Sequence, residues 1–209
     1  GPAASPSKLI VRVDDDVYVE PSAIDALVSE YRRHEVPSVV AGSVEWSHWT
    51  SRPLVMRSIG FGRETRPGED PEFLVSALIL YPRDLAIALP WNERLWPYDA
   101  RYVSLIWRAA GARLAFAPDA RAKHDDIHTE YPVDREADRI YVNALDAGLV
   151  APAVGRLLAF ELLGFAACAK KWARTPRGAW AILAAWLRGH RALARDLSVL
   201  RATVAEAHR

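Results

Sequence analysis

A short, nearly continuous apolar run, Leu9-Ile10-Val11-Arg12-Val13, opens directly onto three aspartates, Asp14, Asp15 and Asp16. A run of that length and composition reads as a strand covered on both faces. The three carboxylates then fall at the strand's C-terminal end. In sheets built from alternating strands and helices, ligands collect beyond the carboxyl ends of the strands. The triplet is therefore the first place to expect one.

The residues beyond the triplet keep the alternation. Pro21 suits a first helical position, and Ile24, Leu27, Val28 and Tyr31 recur at helical spacing, so a helix is expected to end near Arg33. Ser38 to Val44 reads as the next strand. From Glu45 to Glu72 the period fails amid Trp46, Trp49 and several Gly and Pro residues, as in a long surface excursion. Phe73 to Tyr81 is strand-like, and Pro90 to Pro97 is a Trp-rich loop. Val103, Ile106, Trp107 and Ala110 mark a helix stopped by Gly111. Leu114 to Ala117 reads as a last strand closed by Pro118, with His124 beyond its end. The expected class is α/β with a mostly parallel sheet flanked by helices.

The 209 residues, 51% of them apolar, suffice for a real core. The single cysteine, Cys168, excludes a disulfide framework and a Cys-based zinc site, and makes a reducing, cytoplasmic setting the default. No uncharged run approaches the roughly 20 residues of a spanning helix. The net charge of +1 conceals an asymmetry, because residues 151–209 hold ten Lys/Arg against three Asp/Glu. An acidic first part and the lack of an aromatic-basic signature count against nucleic acid as a partner.

The stretch from Val11 to Pro21, with the triplet inside it, resembles the metal-binding segment of nucleotide-sugar glycosyltransferases of the GT-A fold. Leu89 to Asp99, then Ser104-Leu105, Arg108 to Gly111, Ala117-Pro118-Asp119-Ala120 and His124 are similar in order and spacing to the C-terminal half of glycosyltransferase family 2. The resemblance covers roughly residues 8–145. It implies a partial GT-A-like catalytic domain over 1–134, followed by a basic helical region over 135–209. It implies a divalent cation, Mn²⁺ or Mg²⁺, on Asp14, Asp16 and His124, with Asp14 and Asp15 near the nucleotide-sugar donor. A glycan or lipid-linked acceptor would be activated by Asp99 as base. An imidazole among the ligands favours Mn²⁺, and a cation stabilises a departing diphosphate.

This sequence departs from the family in three places. A paired acidic motif is replaced by Pro97-Tyr98-Asp99-Ala100-Arg101, so Asp99 stands alone and reads equally as a helix cap. The Arg of an Arg-Asn pair is missing at Tyr141-Val142-Asn143. Only about a dozen residues precede Asp14, so the nucleotide-binding strands that normally open the fold are lacking, and a fragment that binds donor weakly is the expectation.

Other readings are narrower. A calcium loop fails on spacing at Tyr18 and Val19. His124-Asp125-Asp126-Ile127-His128 offers a zinc-hydrolase alternative if it is helical. Trp46, Trp49, Trp91 and Trp96 read as packing residues, with one or two available to stack on a sugar. Helices are expected over 153–174 and 178–206. In the second, Ile182, Trp186, Leu193, Leu197, Leu200 and Val204 share one face and Arg188, Arg191 and Arg195 the other. That helix either packs on the catalytic domain or rests on anionic lipid at the inner face of the membrane. A non-catalytic GT-A-like binding module is the alternative to the enzyme.

Overall fold

Strand β1, Leu9–Val13, forms where the apolar run places it, and pairs antiparallel with β7, Leu78–Pro82, from Leu9 opposite Pro82 to Val13 opposite Leu78. The computed structural model describes residues 6–56, 62–66, 69–96, 98–125, 136–149 and 176–208, together with 162 and 166. β2, Val17–Val19, comes after the aspartates, and α1, Ala23–Tyr31, after β2. Next come β3, Ser38–Trp46, and its short hairpin partner β4, Trp49–Thr50. A second hairpin pairs β5, Leu54–Met56, with β6, Gly62–Glu64. After β7 come α2, Arg83–Ala88, a 3-10 turn at Glu93–Leu95 and α3, Asp99–Ala109. Strand β8 spans Arg113–His124, and the chain continues in α4, Glu136–Leu149, and α5, Pro176–Ala207.

The main sheet runs in the order β1-β7-β3-β8-β2. Its only parallel pair among the described residues is β3 with β8; the others are antiparallel. The class is α/β as expected, but the sheet is mixed rather than mostly parallel. The reason lies in what an apolar run reports. Val39 and Ala41 of β3, Ile79 and Tyr81 of β7 and Leu114 of β8 enter one core cluster, with Trp107 of α3, Leu145 of α4 and Val204 of α5. Val40 and Val44, Leu78 and Leu80, and Ala115 and Ala117 enter the other, beneath Ala23 and Leu27 of α1. Residues alternate face by face with period two. Continuous hydrophobicity thus signals cover on both faces, whatever the strand direction.

The topology also dictates a curl. β1 and β2 stand at opposite ends of the strand order yet are joined by only three residues. A flat five-strand path would hold its edges about 19 Å apart, whereas the four steps from Val13 to Val17 reach about 14 Å at most. The sheet must curve, and the aspartate turn spans the gap.

Strand β8 passes straight through Pro118 instead of stopping there, so His124 is its last residue and not a loop residue beyond it. The register with β3 jumps from Gly42 opposite Ala117 to Ser43 opposite Arg121. Pro118, Asp119 and Ala120 are extruded as a bulge, where a missing backbone N–H costs no ladder bond. Gly42 makes that bulge fit: a Cβ there would lie 2.5 Å from the Ala120 carbonyl oxygen and 2.6 Å from Leu78 Cδ2. Gly111, with φ of 87°, ends α3 in the left-handed conformation that its sequence position suggested.

The C-terminal helices share the first core cluster: Tyr141, Val142 and Leu145 of α4 are buried in it, and Leu193, Leu197 and Leu200 of α5 pack against it. The helical stretch expected over 153–174 lies outside the described residues except at 162 and 166, which are helical. Among the described residues, no helix is long and apolar enough to cross a membrane.

Candidate active site

Asp14, Asp15, Asp16 and Val17 form a tight turn closed by a hydrogen bond from the Val17 N–H to the Asp14 carbonyl, at 3.2 Å. The Asp14 N–H donates to the Ala77 carbonyl at 3.1 Å, which keeps the start of the turn beside β7. Its end is held to β8, since Val17 pairs with His124 and the Asp125 N–H donates to the Asp16 carbonyl at 2.9 Å. Backbone register therefore brings Asp16 and His124 side by side. Asp15 is exposed at the tip.

The Asp16 and His124 side chains meet, with 3.3 Å between Asp16 Oδ1 and His124 Nε2. His124 Nδ1 lies 2.8 Å from the Asp125 carbonyl oxygen, which can only accept, so Nδ1 carries a proton. In the neutral ring Nε2 then presents its lone pair toward a carboxylate oxygen. A proton or a cation between the two atoms turns that contact into an attraction. Neighbouring ligands on an ion with bonds of about 2.1 Å stand roughly 3.0–3.4 Å apart, and a ligating histidine commonly donates its other N–H to a carbonyl or carboxylate. The Trp46 ring stacks on the imidazole at 5.0 Å and is backed by Trp49 at 4.9 Å, fixing the imidazole's plane.

Asp14 faces the other way. It lies two residues from Arg12 on the same face of β1, and Arg12 Nη2 reaches its Oδ1 at 3.2 Å. The same guanidinium sits 4.2 Å over the Trp91 ring and 3.8 Å, through Nη1, from Asp99 Oδ2. Trp91 Nε1 donates to that Asp99 oxygen at 2.8 Å. Asp99 is buried and begins α3, but the residue before it, Tyr98, occupies the cap position and no side chain caps the helix. Asp99 is thus held by Trp91 and Arg12 rather than serving as a cap.

The two halves form one electrostatic unit. Burial raises the Asp14 carboxyl above the usual aspartate range, Arg12 opposes this, Asp16 and Asp99 reinforce it and His124 opposes it. Asp14 is close enough to all four to feel them. Four aspartates against one arginine make the cluster an attractor of cations.

The residues fit a divalent ion in part. Asp16 and His124 form a ready pair of ligands of the hard-oxygen and imidazole type that Mn²⁺ accepts. No group of three or more His, Cys, Asp or Glu stands arranged around one point among the described residues, because Asp14 is drawn to Arg12. His124 closes a β-strand, which removes the helical presentation a zinc-hydrolase pair would need, and His128 lies outside the described residues.

Sequence reasoning passed over Arg12 and the specific roles of Trp91 and Trp46. The period-two spacing of Arg12 and Asp14 was a usable signal. Nothing in the sequence announced the contacts of Trp91 with Asp99 or of Trp46 with His124. Comparison with protein-family models and with curated proteins finds no match to this chain, so the chemistry of the site rests on its own geometry.

Proposed function

We propose that this chain carries the transfer site of an inverting glycosyltransferase of the GT-A type, moving a sugar from a nucleotide-diphosphate donor to a glycan or lipid-linked acceptor. The observation that carries the reading is the single cluster at the end of β1. Asp99 lies one guanidinium away from the turn on which Asp16 meets His124. A base and a cation-binding pair within one cluster is the arrangement that substitution at an anomeric carbon requires.

In this reading Asp16 and His124, joined by Asp14, hold Mn²⁺ or Mg²⁺, which when bound neutralises charge on the donor diphosphate. Asp15, at the exposed tip, faces the donor's approach. Asp99 accepts the acceptor hydroxyl's proton as the acceptor oxygen bonds to the anomeric carbon. The bond from that carbon to the diphosphate oxygen breaks, and the diphosphate leaves with the electron pair. Trp91 holds Asp99 Oδ2, and Oδ1 is the oxygen assigned to the proton in this reading.

Mn²⁺ titration followed by electron paramagnetic resonance tests the cation half without needing a donor. Binding is expected in the native chain and is lost in Asp16→Asn and in His124→Gln; equal affinity in all three overturns the reading. Hydrolysis of UDP-, GDP- and dTDP-sugars in Mn²⁺ tests the base. Asp99→Asn, folded by circular dichroism, is expected to lose about 100-fold or more in turnover.

A peripheral contact with an anionic membrane surface, proposed for the cytoplasmic side, draws its support from the exposed face of α5. Its inward face is taken up by the core, but the outer face exposes Trp180, Leu183 and Leu187 beside Arg188 and Arg191. Apolar residues followed by cations suit a lipid interface. Co-sedimentation with phosphatidylserine vesicles at low salt checks it, and no binding there removes the membrane contact.

A further inference from the structure

We propose that Arg12 is an internal counter-ion that competes with the cation for Asp14, so that the third ligand joins Asp16 and His124 only when Arg12 lets it go and settles on Asp99. This rests on the reading that Asp16 and His124 hold a divalent cation.

Three observations carry it. Asp14 is the one aspartate of the candidate ligand set whose carboxylate is engaged by a fixed positive charge, at 3.2 Å, while Asp16 already touches His124. Arg12 Nη1 is buried and makes no hydrogen bond, although Asp99 Oδ2 stands only 3.8 Å away. A buried donor without an acceptor is costly, so the guanidinium has both a reason and a place to move. The flat ring of Trp91, 4.2 Å beneath it, lets the guanidinium slide toward Asp99 without losing its stacking contact.

The arrangement therefore has two states. Without the cation, Arg12 divides its charge between Asp14 and Asp99 and keeps the carboxylates from repelling one another. With the cation, Asp14 turns toward Asp16 and His124, and Arg12 closes its gap to Asp99. The cation site and the base are coupled through one side chain. Arg12 is a positioning residue, since it touches neither the ion nor the proton in transit.

The test is Mn²⁺ affinity by paramagnetic resonance in Arg12→Met, which keeps a stem over Trp91 and removes the charge. Affinity is expected to tighten by about fivefold, the worth of one partly exposed ion pair. Lys123→Gln removes a charge next to His124 without touching Asp14, and is expected to change affinity much less. In an Arg12→Met background, Asp99→Asn is expected to alter Mn²⁺ affinity less than it does in the native chain, because the coupling runs through Arg12. Unchanged or weaker binding in Arg12→Met, or an equal gain in Lys123→Gln, overturns the counter-ion role while leaving the cation site standing. If Arg12→Met does not fold, Arg12→Lys, with the charge but not the fork, is expected to give a smaller tightening, and no change overturns the role. Absence of Mn²⁺ binding in the native chain removes the underlying reading and this inference with it.

Discussion

Trp91 serves several neighbours at once. Its face carries Arg12, its Nε1 holds Asp99, and its edge packs on the buried Trp107 at 5.6 Å. Trp107 in turn donates to the Leu89 carbonyl at 3.0 Å, so the support reaches back to a fixed point of the backbone. Trp91→Phe keeps an aromatic ring and deletes the donor. The buried Asp99 oxygen then loses its hydrogen bond, a cost of about 1–3 kcal/mol, to be read as a lowered urea midpoint with an unchanged slope. If Asp99 is the base, turnover should fall as well, since its carboxylate is no longer aimed. Tyr81 packs against both tryptophans, and burial raises its phenol while Arg12 partly offsets that, which marks Arg12 as the cation of this aromatic wall.

Among the secondary-structure elements, the bulge in β8 decides whether His124 reaches the aspartate turn. Gly42→Ala places a methyl group against the Ala120 carbonyl oxygen and Leu78, and overpacking of this kind costs about 1–3 kcal/mol. We expect a lower melting temperature together with weakened Mn²⁺ binding, although Gly42 touches no candidate ligand; full affinity would separate the bulge from the site. The β5–β6 hairpin has its own lock. Arg63 grips Glu69 through both nitrogens, one at 2.7 Å, and this pair holds the Glu69 carboxyl down to about 2 from 4.5. A carboxyl lowered on folding contributes stability that is full above 4.5 and is lost as pH falls through about 2. Hydrogen exchange of the β5–β6 amides, corrected for intrinsic rate, should keep its protection down to the upper value and lose it toward the lower. Glu69→Gln should show the loss already at neutral pH.

Across the molecule, the C-terminal helices are structural before they are anything else. Gly189 lets α5 close on α4, since a Cβ there would lie 2.8 Å from the Ala137 carbonyl oxygen and 2.9 Å from Ile140 Cγ2. Tyr141 of α4, its phenol pushed up by burial, lies close enough to Asp196 of α5 to be coupled to its carboxyl, which is lowered mainly by Arg195. Gly189→Leu should part the helices and uncover Leu145, reducing stability by roughly 1–3 kcal/mol. Dye binding to exposed apolar surface and an early thermal transition are the measures. The fully buried Val142 and Leu145 of α4 share a core with Val39 and Ile79 of the sheet.

Local facts were legible in the amino-acid string: β1 running into the triplet, the apolar run of β3 and the end of α3 at Gly111. Each depends on near neighbours and on periodicity, which a linear string preserves. Strand direction did not emerge, because apolar runs record cover on two faces and are silent on orientation. It took the folded chain to settle that a bulge carries β8 past Pro118 to His124, that the curled sheet sets Asp16 against it, and that Trp91 joins Asp99 to Arg12. Those contacts link residues far apart in the chain, and only the closing of the sheet, imposed by the three residues between its two edges, brings them within reach.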